Sequence, residues 1–275
     1  MTLPRTILLA SDLTARCDRP TDRAFLLGEQ LGASVLLLHV VDGDVADERM
    51  AERAHEALEA IVGHRMERVE VQVRCGEVHR EIFRLAEERD PLVIVTGVAR
   101  FNSVRDFILG TAVDHLVRHA SRPVLVVKRR ALRPYARLLV ATDFSDCSRQ
   151  ALEAAASLFP DASLTVWHGY HAAYEAFLDP IESAREVRRQ GEVDMAHFLE
   201  TVSLPDDLRD RLEVVFDEGE LLFRASETMR DGGYDLLVLG THGRGGFAHA
   251  TIGSRAAELL QCVNRDVLMV RSARR

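Results

Sequence analysis

Glycines and small polar residues near the end of the chain are spaced as in a loop that holds an anion. Gly240-Thr241-His242-Gly243 follows the apolar run at 236–239, and Gly253-Ser254 comes after nine further residues. A strand that ends at glycine, continues as a loop and restarts as a helix exposes backbone N–H groups, which are good donors to phosphate. The segment therefore predicts an anion-binding loop between a strand and a helix.

The same pattern occurs earlier in the chain, which indicates a tandem repeat. Gly97 and Gly110-Thr111 lie 143 residues before Gly240 and Gly253-Ser254. Self-similarity at a fixed spacing is the signature of a unit that occurs twice. We therefore expect two similar domains.

Two further matches extend the repeat toward its opening. Gly76-Glu77 lies 143 residues before Gly219-Glu220, whereas Asp12 corresponds to Asp143 at an offset of 131. The change of offset requires an insertion or deletion between the opening and the ending of the unit. The middle of each repeat is therefore where the two copies should differ most.

The length and composition agree with two soluble globular domains. The chain has 275 residues, of which 47% are apolar and 28% are charged. We predict a first domain at 1–130 and a second at 135–275, joined by a short linker at 128–136 that contains three arginines and Pro134.

The charge and the hydropathy exclude several classes of partner. A net charge of −8 argues against a general binder of nucleic acid or of anionic membranes, because both need a basic surface. No apolar stretch reaches the length of a membrane span, and the first residues contain no apolar signal segment. We expect a cytoplasmic protein that acts without nucleic acid and without a membrane.

Short apolar runs rich in β-branched residues predict five buried strands in each repeat. Runs such as Val35 to Leu38 are apolar at every position, which is typical of a parallel sheet covered by helices on both faces. The fold class is therefore α/β, with two tandem doubly wound domains. The predicted strands are 6–10, 34–40, 69–74, 92–96 and 124–127, followed by 138–142, 163–168, 212–216, 236–239 and 267–270.

The strand-end aspartates point to a nucleotide. In an open parallel sheet, ligands bind at the carboxyl ends of the strands, where Asp143 and the glycine loop of the second repeat should meet. A carboxylate there accepts from an exocyclic amine or a ribose hydroxyl, while the loop takes phosphates. We therefore expect a nucleotide, with Asp143 at the nucleoside and the loop at the phosphates.

The second repeat resembles the universal stress protein family. The signature of that family is glycine, two residues, glycine, nine residues, glycine, then serine or threonine, and Gly240, Gly243, Gly253 and Ser254 match it in full. The resemblance covers nearly the whole chain as two tandem copies. It implies a five-stranded parallel sheet of order 3-2-1-4-5 flanked by helices in each copy. One branch of the family holds ATP in this loop, usually with a divalent cation. The resemblance therefore also implies ATP as a ligand, with Mg²⁺ or Mn²⁺ as the accompanying ion.

The resemblance also implies roles for individual residues. Asp143 would contact adenine or ribose, the three signature glycines would wrap the phosphates together with Thr241 and His242, and Ser254 would donate to a phosphate. Arg244 follows the second glycine, where it either clamps a phosphate or is solvated.

One position of the second repeat departs from the family. Gly169 stands where the first repeat has Val40, and the family uses this position to touch adenine. An apolar contact is therefore expected to be missing, and the adjacent Tyr170 is a candidate to replace it by stacking.

The first repeat departs more strongly. Arg100 stands at its second glycine position, so a side chain occupies the space through which a phosphate would approach the backbone. We expect this copy to have lost nucleotide binding, although an arginine can also pair with a phosphate.

The sequence contains no recognisable catalytic motif. GxxxxGK[ST], GxSxG and HExxH are all absent, so we expect no enzyme beyond slow ATP hydrolysis. His168, His171, His242 and His249 suggest a metal, but no carboxylate or cysteine completes a ligand pattern, and core or surface roles are favoured. Cys17 and Cys147 occupy similar places in the two repeats, where shared packing is favoured over a redox role.

Three functions remain open on the sequence. The leading hypothesis is an ATP-binding stress-response protein that acts as a sensor or binding module together with an unknown protein partner. The alternatives are a nucleotide-independent scaffold or small-molecule binder that uses the region 170–210, and an adenylate-handling enzyme. The resemblance further implies a pseudo-dimer within the chain and a possible homodimer.

Overall fold

Strands and helices alternate along the chain in both halves of the sequence. The computed structural model describes residues 5–41, 48–62, 68–98, 100–101, 107–108, 111–171, 180–243 and 252–272. The chain divides into two compact units, Met1–Pro134 and Tyr135–Arg275.

The first unit contains seven strands and four helices among its described residues, with a 3-10 turn at Ala15–Cys17. Its elements in chain order are β1 (Thr6–Ser11), α1 (Asp18–Leu31), β2 (Ser34–Val41), α2 (Glu48–Val62), β3 (Val69–Cys75), α3 (Val78–Arg89), β4 (Val93–Gly97), β5 (Arg100–Phe101), β6 (Phe107–Ile108), α4 (Thr111–His119) and β7 (Val124–Val127).

Five strands of the first unit form a parallel sheet in the order β3-β2-β1-β4-β7. Successive residues of a strand point to opposite faces, and both Leu8 and Leu9 of β1 are 0% exposed. Burial on both faces explains why the central strands are apolar at every position. The helices that cover the faces include α1, packed on β1 and β4, and α3, packed on β1 and β2.

The second unit repeats this arrangement. Its elements in chain order are β8 (Arg137–Ala141), α5 (Asp146–Leu158), β9 (Ser163–Tyr170), α6 (Pro180–Thr201), α7 (Asp206–Asp210), β10 (Glu213–Glu218), α8 (Leu221–Asp231), β11 (Leu236–Gly240), α9 (Ser254–Cys262) and β12 (Asp266–Val270).

The sheet of the second unit is parallel and has the order β10-β9-β8-β11-β12. Counted within each unit, both sheets therefore have the order 3-2-1-4-5. The predicted fold class is confirmed for both halves. The order reverses beside the first strand of each sheet, so a crevice lies at the carboxyl ends of β8 and β11.

Local sequence explains where the helices of the second unit begin. The Ser145 hydroxyl accepts a hydrogen bond from the Ser148 N–H and caps α5. The Glu220 carboxylate accepts from the N–H groups of Leu222 and Phe223 and caps α8. Gly219 precedes this cap at φ 138°, and Gly76 lies at φ 135° before α3, so both repeats need glycine at this turn.

Two short elements were not predicted from the sequence. β5 and β6 pair as an antiparallel two-stranded ribbon of two residues each, and α7 has five residues. Elements of this length carry no detectable period. The predicted divergence between the copies lies where expected, since α2 has 15 residues and α6 has 22. Among the described helices, none has the length and hydropathy that crossing a bilayer requires.

Candidate functional site

A cavity of about 570 Å³ opens at the carboxyl ends of β8, β9 and β11 in the second unit. This volume lies in the range of small-molecule sites. The predicted cofactor-binding residues that line it are Asp143, Gly169, Gly240, Thr241, His242, Gly243, Gly253 and Ser254. Arg244, the remaining member of the predicted set, lies outside the described residues.

Asp143 is brought to the cavity by a strained turn. Phe144 adopts φ 63°, a left-handed conformation that is uncommon for a large side chain, and its N–H donates to Thr142 Oγ1 at 2.9 Å. Asp143 Oδ1 accepts from the Ser145 N–H at 3.1 Å. Asp143 Oδ2 lies 2.5 Å from the place where a Cβ at Gly243 would stand, so a side chain there would displace the Asp143 carboxylate from this position.

Gly240 is required by a different neighbour, the backbone of α5. A Cβ at Gly240 would lie 2.9 Å from the Cys147 carbonyl carbon and 3.0 Å from the Ser148 nitrogen. Backbone atoms cannot move aside as a side chain can. Gly240 therefore lets β11 pack directly on α5, whatever the cavity holds.

Among the described residues, none gives a comparable reason for glycine at position 253. Its φ of −56° and ψ of 140° suit any residue, and the nearest atom to a Cβ would be the Thr241 oxygen at 3.7 Å. The Gly253 N–H donates to the Thr241 oxygen at 2.9 Å, which closes the loop. The Gly253 N–H is therefore engaged within the loop, and the role of Gly253 in wrapping the phosphates stays a prediction.

The first turn of α9 supplies backbone donors at the same edge. The first N–H groups of a helix have no intrahelical acceptor, and α9 has no side-chain cap. The first carbonyl to close the helix is that of Gly253, which accepts from the Ala257 N–H at 3.0 Å. The N–H groups of Ser254, Arg255 and Ala256 thus precede the intrahelical ladder, and all three residues line the cavity.

Thr241 and His242 hold the loop in place. Thr241 is buried, its N–H donates to the Val270 oxygen at 2.9 Å, and its Oγ1 lies 2.8 Å from His242 Nδ1. The Ser145 hydroxyl donates to the His242 oxygen at 3.3 Å, which joins the loop to the start of α5. These two residues therefore fix the loop that the glycines shape.

Trp167 and Leu221 fill the space beside Gly169. A Cβ at Gly169 would lie 2.5 Å from Trp167 Cη2 and 2.9 Å from Leu221 Cδ1. The volume that a valine would take is thus already apolar. The missing apolar contact to adenine at this position stays a prediction, with Trp167 and Leu221 as the apolar side chains beside it. Tyr170 also lines the cavity, its ring lies parallel to that of His168 with 6.4 Å between centroids, and its stacking on a base stays a prediction.

Two charged residues at the cavity were not predicted. Glu220 lines it, and the N–H groups of Phe223 and Leu222 hold the pKa of its carboxylate below the usual range. Arg255, the second residue of α9, also lines it and is exposed. The position of Arg255 directly after the signature serine was the available signal, because a cation at a helix start opposes the helix dipole and suggests another role.

Comparison with known proteins places both units in one family. A sequence model described as "Universal stress protein family" matches residues 4–128 and 134–271. The chain belongs to the universal stress protein family. Both units are universal stress protein domains, in tandem.

Individual universal stress proteins resemble the chain over one domain or over both. Universal stress protein G of Shigella flexneri is 36% identical over 102 residues, which are 35% of this chain and 71% of that protein. A universal stress protein of Mycobacterium tuberculosis is 28% identical over 239 residues, which are 81% of this chain and 72% of that protein.

Solved structures of universal stress proteins share the fold. The structure from Archaeoglobus fulgidus superposes with a TM-score of 0.70 at 19% identity, covering 97% of this chain and 98% of that one. The one from Pseudomonas aeruginosa UCBPP-PA14 has a TM-score of 0.65 at 21% identity, covering 98% and 93%.

The first universal stress protein domain has the same strand-end turn with different contacts. Leu13 adopts φ 60°, as Phe144 does in the second domain. Asp12 Oδ1 accepts from the Thr14 N–H at 2.9 Å, the Thr14 hydroxyl at 2.7 Å and the Cys17 thiol at 3.0 Å. Burial acts to raise the pKa of Asp12, but these hydrogen bonds outweigh it and lower that pKa.

The loop of the first domain is described only in part. Gly97 ends β4 and packs near Pro20, with a Cβ position 3.3 Å from Pro20 Cγ. Arg100 begins β5, while its side chain and Gly110 lie outside the described residues. The loss of nucleotide binding in this domain therefore stays a prediction.

The two repeated cysteines hold hydrogen bonds. Burial raises the pKa of the Cys17 thiol to about 11, so it is protonated at neutral pH. The buried Cys147 thiol donates to the Val270 oxygen at 3.3 Å. These contacts agree with a packing role.

Three histidines of the second domain, His168, His171 and His242, line the cavity. His168 Nδ1 lies 2.8 Å from the Thr142 oxygen, and its counterpart His39 Nδ1 lies 2.9 Å from the Ser11 oxygen. Within the described residues, no three His, Cys, Asp or Glu side chains are placed to hold a metal ion. His249 lies outside that part of the chain.

Proposed function

We propose that this universal stress protein binds ATP in the cavity of its second domain and acts as a sensor or binding module with at most slow hydrolysis. Asp143 would take the nucleoside, and the start of α9 would take the phosphates. Mg²⁺ or Mn²⁺ would arrive with the phosphates, since no group of three protein ligands is available among the described residues.

The observation that carries this proposal is the glycine at position 253. Gly240 is explained by α5, and Gly243 is explained by Asp143. Neither the conformation of Gly253 nor its neighbours in the described part of the chain demand glycine. A glycine without a structural reason, directly before uncapped helix N–H groups, is what the close approach of a phosphate requires.

The charge at this edge supports a phosphate ligand. The N-terminus of α9 carries the positive end of the helix dipole, its first turn has no acidic residue, and Arg255 adds a cation. Glu220 lies in the same cavity, but its carboxylate caps α8. The anion site therefore lies at the α9 edge, and the region around Gly169 is left for a base.

The region 170–210 stays the alternative site, because Asp194, His197, Phe198 and Thr201 of α6 line a second cavity of about 330 Å³ together with Phe144 and the start of α5. From its described part, Tyr170 and His171 line the same cavity as the glycine loop. The cytoplasmic location, the pseudo-dimer, the protein partner and the stress-response role stay predictions from the sequence and the family.

The test is a calorimetric titration of Gly253→Ala with MgATP. The variant is expected to fold with unchanged thermal stability, because no atom of the described residues lies closer than 3.7 Å to its Cβ. We expect its ATP affinity to fall by about tenfold or more, which corresponds to about 1.4 kcal/mol.

Gly191→Ala is the matched control. Gly191 lies within α6, does not line the cavity, and has ordinary van der Waals space for a Cβ at 3.4 Å from Phe216. This control should bind ATP as the wild type does. Absence of binding to the wild type, or equal binding by Gly253→Ala, would contradict the proposal.

A further inference from the structure

Trp167, the only tryptophan of the chain, lies across a glycine of its own strand. Trp167 and Gly169 are two residues apart on β9, so they share one face of the sheet. A Cβ at Gly169 would lie 2.5 Å from Cη2 and 2.9 Å from Cζ2 of the indole. Real Cβ atoms do not approach so closely, and therefore the indole needs glycine at position 169.

The indole is fixed in this direction by a hydrogen bond from its ring nitrogen. Trp167 Nε1 donates to Asp217 Oδ2 at 2.6 Å, and the Thr228 hydroxyl donates to the same oxygen. Asp217 is paired with Gly169 in the register of β10 and β9. The ring therefore leans along β9 toward the carboxyl edge of the sheet, where the cavity opens.

The first domain has a different set of residues at the same four positions. Where the second domain has Trp167, Gly169, Asp217 and Thr228, the first has Leu38, Val40, Arg74 and Leu85. Arg74 pairs there with Glu88 instead of with a residue of β2. All four positions differ between the domains. This is expected if the Trp167 indole, the glycine at 169 and the Asp217 carboxylate form one structural unit.

This unit forms one end of the cavity. Trp167, Gly169 and Leu221 all line it, and Trp167 is nevertheless only 1% exposed. The indole is thus a packed wall that presents a narrow edge. β9 and the glycine loop after β11 lie on opposite sides of β8, so this wall stands opposite the phosphate edge.

We propose that Trp167 is the specificity-determining residue of the base end and that Asp217 is the residue that positions it. This inference rests on the proposed function. The apolar wall of Trp167 and Leu221 sets the depth of the cavity, so a purine reaches it from the phosphate edge and a smaller pyrimidine does not. Gly169 excludes any side chain that would push the indole into the ligand.

The first measurement is the tryptophan emission of the full chain during titration with MgATP and, separately, with MgCTP. Because the chain has one tryptophan, any change in emission reports on Trp167. We expect the emission to change with ATP along the same saturation curve that calorimetry gives, and ATP to bind at least about tenfold more tightly than CTP.

The second measurement compares three variants by calorimetry. Gly169→Val should lower the ATP affinity about tenfold or more, because the new side chain displaces the indole. Trp167→Leu should reduce the preference for ATP over CTP. The double variant Trp167→Leu/Gly169→Val has the residue types that the first domain has at Leu38 and Val40. We expect it to recover most of the ATP affinity that Gly169→Val loses.

The positioning role of Asp217 has its own readout. Asp217→Ala should weaken the ATP-dependent change in emission, while Asp217→Asn keeps an acceptor oxygen and should preserve it. A purely structural role for Asp217 would change the thermal stability of both variants without changing this signal at saturating ATP.

The outcomes separate this inference from the proposed function. If ATP binds by calorimetry while the Trp167 emission is unchanged, ATP and CTP bind alike, or the double variant recovers nothing, the inference is overturned and ATP binding stands. If calorimetry shows no ATP binding to the wild type, both are overturned. Should Gly169→Val fail to fold, the wild-type emission and Trp167→Leu still decide the matter.

Discussion

The two domains hold their strand-end aspartates in different ways, although both turn on a left-handed residue. Asp12 Oδ1 accepts three hydrogen bonds from Thr14 and Cys17. Asp143 accepts from the Ser145 N–H and packs against the Cα of Gly243. Both aspartates thus accept the N–H of the residue two positions on, while Asp12 also accepts a hydroxyl and a thiol and Asp143 also lies against the glycine loop.

The comparison shows that the fold and the site are encoded by different residues. Both sheets have the same order, both turns use Leu13 or Phe144 at positive φ, and both helices after the third strand follow a glycine at positive φ. What differs is a small set of side chains around the carboxyl edge. One fold can therefore carry a binding site in one copy and a structural edge in the other.

The largest expected effect comes from replacing Gly243 of the second domain by arginine, the residue type at the equivalent position, Arg100, of the first domain. Gly243→Arg adds a side chain whose Cβ would lie 2.5 Å from Asp143 Oδ2, so both the aspartate and the loop must move. We expect the ATP affinity measured by calorimetry to fall at least about a hundredfold. The reciprocal Arg100→Gly should leave it unchanged. Binding by Gly243→Arg within about threefold of the wild type would contradict this.

A smaller effect is expected from removing each aspartate. Asp143→Ala should lower the ATP affinity about tenfold, which is the effect expected from the loss of one hydrogen bond to a charged group. Asp12→Ala should leave ATP binding unchanged but lower the melting temperature, because the donors at Thr14 and Cys17 lose their acceptor. Equal losses of ATP affinity in the two variants would show that the first domain also binds nucleotide.

Arg255 tests the electrostatic part of the site. Its counterpart in the first domain is Ala112, and the residue lies at the exposed edge of the cavity. Arg255→Ala should lower the ATP affinity about threefold at low salt. The loss should be smaller at high salt, because salt screens an exposed charge. Adenosine, which has no phosphate, serves as the control ligand. An equal loss for adenosine would place Arg255 away from the phosphates.

The first domain has a histidine cluster that the second domain lacks. The ring of His115 lies 4.0 Å from that of His79 and 4.2 Å from that of His119, between α3 and α4. Burial, followed by the charges of His79 and His119, lowers the pKa of His115, and Glu77 and Asp114 oppose this only in part. The counterparts of the three histidines are Leu222, Glu258 and Cys262.

The smallest expected effect is on the pH dependence of stability. A lowered pKa means that the unfolded chain binds more protons, so the stability contributed by neutral His115 is lost as pH falls below about 6.5. His115→Gln should therefore lose less melting temperature than the wild type between about pH 7.5 and pH 5.5. His197→Gln, on an exposed surface of α6, should behave as the wild type. Identical losses in all three proteins would contradict the role of His115.

Much of the fold could be predicted because it depends on sequence patterns among residues that are close together in the chain. The length of the apolar runs gave the ten strands of the two sheets, and the spacing of the glycines gave the loop and the repeat. The ribbon of β5 and β6 was not predicted, because two residues per strand are too few to show an alternation of apolar and polar side chains.

The contacts within the site could not be predicted because they depend on directions that spacing does not encode. The indole of Trp167 crosses Gly169 only because Asp217, fifty residues later, accepts its N–H. The engagement of the Gly253 N–H by Thr241 likewise depends on how the two ends of the loop meet. The sequence identified the glycine loop and Asp143 at the cavity, but it did not identify Glu220 or Arg255, nor which atoms of the loop bond within the protein.

The stoichiometry of ATP binding tests the difference between the domains most directly. Isothermal titration of the full chain with MgATP should give one ATP per chain, bound in the second domain. Two equivalent sites would show that Arg100 and the engaged Asp12 do not prevent binding, and no heat of binding at all would contradict the nucleotide site itself.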